Sequence, residues 1–156
     1  MIQRIQSIFL FLTVVLCVLM FFYPLAVFLN DLGYYKLYVY DFVSMGPDPQ
    51  TIFSQYFALP MSAVVAVIAI LSIITLFMYK NRLGQMRLIK TAIFLNIVLI
   101  VGILLGYVGI IERKLNIQGN YDVAAFFPLI TLIFLVIAYR GVRKDEKLVR
   151  SADRLR

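Results

Sequence analysis

Four stretches without a single Asp, Glu, Lys, Arg or His, residues 8–29, 56–79, 91–111 and 123–139, decide what this chain can fold into. Each reaches the roughly 17 to 25 residues that an α-helix rising 1.5 Å per residue needs to cross a bilayer. The chain has 156 residues, 63% of them hydrophobic, and a mean hydropathy of +0.93. A soluble domain of that size buries only about two thirds of its unfolded surface, so lipid has to solvate the remainder. The expectation is an all-α membrane protein, a four-transmembrane-helix bundle forming one domain over residues 1–156. Its spans are expected at 8–29, 56–79, 91–111 and 123–142, joined by an outer loop at 30–55 and an inner loop at 80–90 and followed by a tail at 143–156. The fourth span reaches residue 142 if Arg140 snorkels to the headgroups.

Charge orients the bundle. Arg4, the 80–90 loop and the segment after residue 139 carry twelve of the fifteen basic residues, whereas the opposite side has only Lys36, Arg113 and Lys114. The positive-inside rule then puts both termini and the 80–90 loop in the cytoplasm. Tyrosines mark the same boundaries, with Tyr79 and Tyr139 at inner ends and Tyr23, Tyr56, Tyr107 and Tyr121 toward the outer face. Arg4 ahead of an apolar stretch imitates a signal peptide, but the stretch exceeds the roughly 7 to 15 residues of an h-region and no cleavage site follows, so a retained first span is expected. A net charge of +7 beside membrane-length runs points to anionic lipid headgroups and not to nucleic acid.

The outer loop carries strand-forming residues. Residues 34–43 are rich in aromatic and β-branched side chains, and a turn is expected at 46–49. A returning strand at 51–54 makes a β-hairpin, and 114–118 adds a third strand before Gly119-Asn120, giving a small extracytoplasmic cap. Pro60 lies close enough to a helix start to be tolerated, while Pro24 and Pro128 are expected to bend or loosen their helices.

Small residues at helical spacing are the expected helix-packing positions: Gly102, Gly106 and Gly109 on the third span, Ser62, Ala66 and Ala69 on the second. They serve either packing within one bundle or a homo-oligomer contact. Asn96 is the most polar side chain in any span, and a local interhelical hydrogen bond is expected for it, since an ion path calls for ionisable groups that the spans lack. The outer acids Asp31, Asp41, Asp48, Glu112 and Asp122 show no paired spacing. Cys17 is the only cysteine, which excludes an intramolecular disulfide and a multi-Cys metal site. With no histidine, phosphate loop or activated-serine motif, catalytic, cofactor-binding and metal-ligating residues are all assigned as none. The tail places Leu148, Ala152 and Leu155 on one helical face and Glu146 four residues before Arg150. It is read as an anchor, a helix lying on the inner leaflet, or a docking site for a protein partner. Contact residues for anionic lipid or a partner are Arg82, Arg87, Lys144, Lys147, Leu148, Arg150, Arg154 and Leu155.

The opening Met1-Ile2-Gln3-Arg4-Ile5-Gln6-Ser7, the loop with Lys80, Asn81, Arg82, Gln85 and Arg87, and the closing stretch from Lys144-Asp145-Glu146-Lys147 to Arg156 resemble a domain-of-unknown-function family of small four-span proteins from Bacteroidetes. The resemblance implies a bacterial inner membrane and carries over no catalytic or ligand residue. The function expected is a non-enzymatic structural, scaffold or assembly protein acting through its basic cytoplasmic face. The alternative is an accessory subunit or small carrier for an apolar or lipidic substrate.

Overall fold

A computed structural model describes residues 2–30, 33–45, 53–54, 56–78 and 81–154. Its main helices are α1 (Ile2–Leu19), α2 (Leu59–Phe77), α3 (Arg82–Val101), α4 (Val108–Leu115) and α5 (Phe127–Arg154). A π-helical segment, Gly102–Tyr107, joins α3 to α4 without a break, and a 3-10 turn, Val123–Phe126, leads into α5. Helix α1 packs on α2 and α5, and α3 packs on the same two, so the four close into a ring. Among the described residues, three helical stretches are long and apolar enough to cross a membrane, at Leu59–Phe77, Arg82–Leu115 and Val123–Val149, and Gln6–Leu19 is a shorter apolar helix.

The first apolar run is not one helix, contrary to the expected span at 8–29. Helix α1 stops at Leu19, turns follow, and strand β1 (Ala26–Asn30) begins two residues after Pro24. Proline lacks the N–H that would continue the helix and pushes Tyr23 toward extended backbone. Beyond it the pattern changes period: Ala26 and Phe28 are buried, Val27 is half-buried and Leu29 exposed, the alternation of a strand with one covered face. Pro24 therefore ends a helix instead of bending one. Pro128 occupies the second position of α5, directly after a 3-10 turn in which Phe127 N–H donates to the Ala124 carbonyl. Pro60 sits likewise in the first turn of α2.

The expected cap exists as a four-stranded antiparallel sheet, ordered β3-β2-β1-β4 with β2 Gly33–Leu37, β3 Phe42–Ser44 and β4 Gly119–Tyr121. The reading of 34–43 as one strand is corrected. Leu37 pairs with Phe42 across a turn in which Tyr38 N–H donates to the Asp41 carbonyl at 2.8 Å and Phe42 N–H to Asp41 Oδ1 at 2.8 Å. The turn at 46–49 and the start of the strand at 51–54 lie outside the described residues, and Phe53 and Ser54 are not in a strand. The strand expected at 114–118 falls instead on Gly119–Tyr121. Asn116 ends α4 in the left-handed conformation, at φ 54°, and Glu112 Oε1 accepts the Gly119 N–H at 2.9 Å. Gly119 cannot be replaced cheaply, since a Cβ there would come 2.5 Å from the Phe28 ring.

The sheet closes one end of the bundle. Phe28, Leu37 and Val39 are fully buried in a core shared with Met61, Ile103 and Ile111. A file of rings, Tyr35, Phe42, Phe53, Phe57 and Tyr107, runs from the sheet to the π segment with centroids 4.4 to 5.7 Å apart. The other half of the bundle has its own core of Leu10, Ile89, Ala92, Leu135, Ala138 and Val142.

Candidate functional site: a cationic groove at the basic end

Opposite the sheet, α3 starts at Arg82, where Asn81 Oδ1 accepts the Gly84 N–H at 2.9 Å, while α5 continues alongside it as one helix to Arg154. The tail is thus a continuation of α5 and not a separate helix. Its first turn is built into the bundle. Asp145, 8% exposed, accepts a hydrogen bond from Gln6 Nε2 at 2.7 Å, and its backbone carbonyl accepts one from Arg82 Nη1 at 3.1 Å. Gln6 fits because residue 141 is glycine: a Cβ there would lie 2.7 Å from Gln6 Cγ. Gln85 Nε2 meanwhile donates to the Thr75 carbonyl near the end of α2 at 2.9 Å. These bonds tie α1, α3 and α5 together and join α3 to α2.

In front of this polar tie, α3 and α5 diverge into a groove. Leu83, Met86 and Lys90, three and four residues apart, form one bank; Tyr139, Arg143 and Lys147, each four apart, form the other. The hollow between them measures about 470 Å³ and adjoins a second of about 460 Å³, bounded by Arg82, Glu146 and Val149. Lys90 Nζ sits 5.7 Å from the centre of the Tyr139 ring, within cation–π range. The groove therefore collects Arg82, Lys90, Arg143 and Lys147 around Glu146, beside Leu83 and Met86. Four basic side chains against one carboxylate leave an excess of positive charge there, which attracts anions.

Of the contact residues read from the sequence, Arg82 and Lys147 line this groove. Arg87, Lys144 and Leu148 are exposed outside it. Arg150 and Arg154 lie on the last turns of α5, and Leu155 is outside the described residues. Sequence reading missed Lys90, Tyr139 and Arg143 as site members, although the three- and four-residue spacing on both helices was there to find them. It also missed Gln6, Gln85 and Asp145, since nothing local to a glutamine near residue 6 shows that it meets an aspartate 139 positions later.

Among the helix-packing positions, Ala69 packs against the core, and the glycines have open space around them. A Cβ at Gly102, Gly106 or Gly109 would meet nothing within 4 Å, so none of the three brings two backbones of this chain together. All three lie in or beside the π segment, where the 3.6-residue period that placed them on one face is interrupted. On α2 the buried stripe is Met61, Val65, Ile68, Ser72 and Thr75; Ser62, Ala66 and Ala69 flank it, half-buried. Asn96 does make the expected interhelical bond, its Nδ2 donating to the Pro128 carbonyl at 2.8 Å. The hydroxyls of Ser72 and Thr75 donate to the carbonyls four residues back, and Thr131 Oγ1 is the buried side-chain polar atom left without a partner among the described residues. Asp41, Glu112 and Asp122 each accept from a nearby backbone N–H, so these three carboxyl groups serve turns and a helix start.

A family model described as a domain of unknown function, DUF4293, matches residues 2–155. The chain belongs to the DUF4293 family. No curated protein and no solved structure gives a significant match. In this DUF4293 chain the matched region takes in both the sheet and the groove, so the family model describes the whole capped bundle and not a detachable part.

Proposed function

We propose that this protein is a non-enzymatic integral membrane scaffold of a bacterial inner membrane, crossing it four times with both termini and the basic end in the cytoplasm. The observation that carries the reading is the groove: four basic side chains gathered on two helices at the points where each leaves its charge-free stretch. Arg82–Leu115 has 34 residues, about 51 Å at 1.5 Å per residue, so that helix spans a hydrocarbon layer of about 30 Å and still reaches the sheet. The short α1 is completed by the Met20–Pro24 turns and β1, whose backbone groups pair with β2 and β4, as apolar surroundings require.

A protein partner fits best on the ridge of α5 that continues past the polar tie, where Leu148 and Val149 are exposed. Removing residues 144–156 would also remove Asp145 and loosen the bundle, so point replacement is the proper test. A photo-crosslinking residue at Val149 should give one recurrent protein adduct in native membranes, lost when Leu148→Asp is added. Adducts with lipid alone would overturn the reading.

A second reading, an accessory subunit or small carrier for a lipidic substrate, draws on an apolar crevice of about 90 Å³ between the π segment and the start of α5. That volume is below the roughly 300 to 1,000 Å³ of ordinary ligand pockets. Two side-chain cores fill the bundle interior along its length, so this reading is supported only at the outer seam of the helices.

A further inference from the structure

The basic groove and the apolar crevice lie on the same seam. On α3, the positions Met86, Lys90, Ile93, Ile97 and Ile100 recur at intervals of four and three along one helix face, and Leu104 follows in the π segment. Opposite them on α5, Lys147, Arg143, Tyr139, Val136, Leu132 and Leu129 recur in the same way. This face borders the buried stripe that holds Ile89, Ala92, Asn96 and Leu99, so it is the outward side of the α3–α5 contact. One end of the seam opens into the groove with Lys90, Arg143 and Lys147; the other ends in the crevice lined by Ile100, Leu104, Ala125 and Leu129. Between them there is no charged side chain, and Ile97 is 45% exposed. From Lys90 to Leu104 the distance along the helix is about 21 Å.

We propose that this seam binds one anionic phospholipid, with its phosphate between Lys90, Arg143 and Lys147 and one acyl chain laid along Ile93, Ile97 and Ile100 toward the crevice at Leu104. The placement matches the molecule at both ends. Lys90 immediately precedes an uncharged stretch of the helix, and Tyr139 ends one, so the cations stand at headgroup depth while the seam runs into hydrocarbon. A water-soluble phosphate ester would use the groove and leave the seam bare. A zwitterionic lipid brings its own ammonium group to a site where three cations outnumber the one carboxylate, Glu146. The proposal rests on the membrane placement of the preceding section and specifies what the basic end holds.

The test uses the full chain purified in mild detergent, with native mass spectrometry after adding phosphatidylglycerol or phosphatidylcholine of equal chain length. One phosphatidylglycerol per chain should be retained in preference to phosphatidylcholine. Lys90→Gln with Arg143→Gln should lower retention by roughly 25-fold, about fivefold for each basic residue removed near an anionic headgroup. Arg87→Gln with Lys144→Gln removes the same charge from exposed positions outside the groove and should change retention less than twofold. Ile97→Trp, which fills the seam without touching charge, should also expel the lipid. Each variant is accepted only with an unfolding temperature like that of the parent chain. Equal losses from the two charge pairs would show diffuse attraction and overturn the site. Displacement by millimolar inorganic phosphate, together with indifference to Ile97→Trp, would make it a phosphate site and overturn the lipid. Because no other protein is present, failure here leaves the crosslinking result at Val149 standing, and the reverse also holds.

Discussion

The two ends of the bundle are closed by different means. At the sheet end, closure is shared among a backbone ladder of four strands, a buried core around Phe28 and a file of five rings, so no single polar bond is decisive. At the basic end it rests on a few directed bonds from Gln6, Arg82 and Gln85, each of which needs one particular partner. Apolar closure depends on filled volume; polar closure depends on each partner being present. An end held by few bonds is also the end where local opening is cheapest, which suits the face that we assign to partners.

The strongest challenge to this contrast is Phe28→Ala. It should destabilise the protein by about 3 to 5 kcal/mol, the usual cost of emptying a fully buried aromatic site, as read by thermal or denaturant unfolding in detergent. A loss below about 1 kcal/mol would mean that the sheet is not part of the cooperative core. Next comes Asp145→Ala, expected to cost about 1.5 to 3 kcal/mol because the Gln6 amide loses its charged acceptor. Gln6→Ala should cost a similar amount, and the double variant little more than either alone; independent, additive losses would show that the two side chains do not act as a pair. The smallest effect is expected at Gly102→Ala and Gly106→Ala, a change within about 1 kcal/mol and of stabilising sign, since Ala is the better helix former and no neighbour stands in the way. A large loss at either position, measured together with the oligomeric state, would place a second chain against that face.

How far the sequence could be read follows from the range of each determinant. The apolar runs and their flanking charges are local, and they locate the long helices at Leu59–Phe77, Arg82–Leu115 and Val123–Val149 well. The first run misleads because its composition is uniform while its periodicity changes after Pro24; hydropathy averages over a switch that the alternation of Ala26, Val27, Phe28 and Leu29 reveals. The strand register was misjudged for the same reason: β2 takes its inner partner from the end of the apolar run and not from the loop, so the turn falls at Tyr38 to Asp41 instead of after residue 45. The Gly102 stripe failed where a π segment breaks the period it relied on. In the groove, half the basic residues had been singled out; the others had served only to orient the chain. The pair of Gln6 and Asp145 is not legible at all from one sequence, being a meeting of two distant positions with no motif.

Strand β1 has an implication for biosynthesis. It lies between β2, which follows it almost at once, and β4, which leaves the ribosome roughly ninety residues later, or about 5 to 18 s at ordinary elongation rates. For that interval one edge of β1 is unpaired and Gly119 does not yet cover Phe28, while α2, α3 and α4 are being made. The sheet can finish only after α2, α3 and α4 have been made, but before α5 has, so the cap can be complete before the last helix arrives to close the bundle.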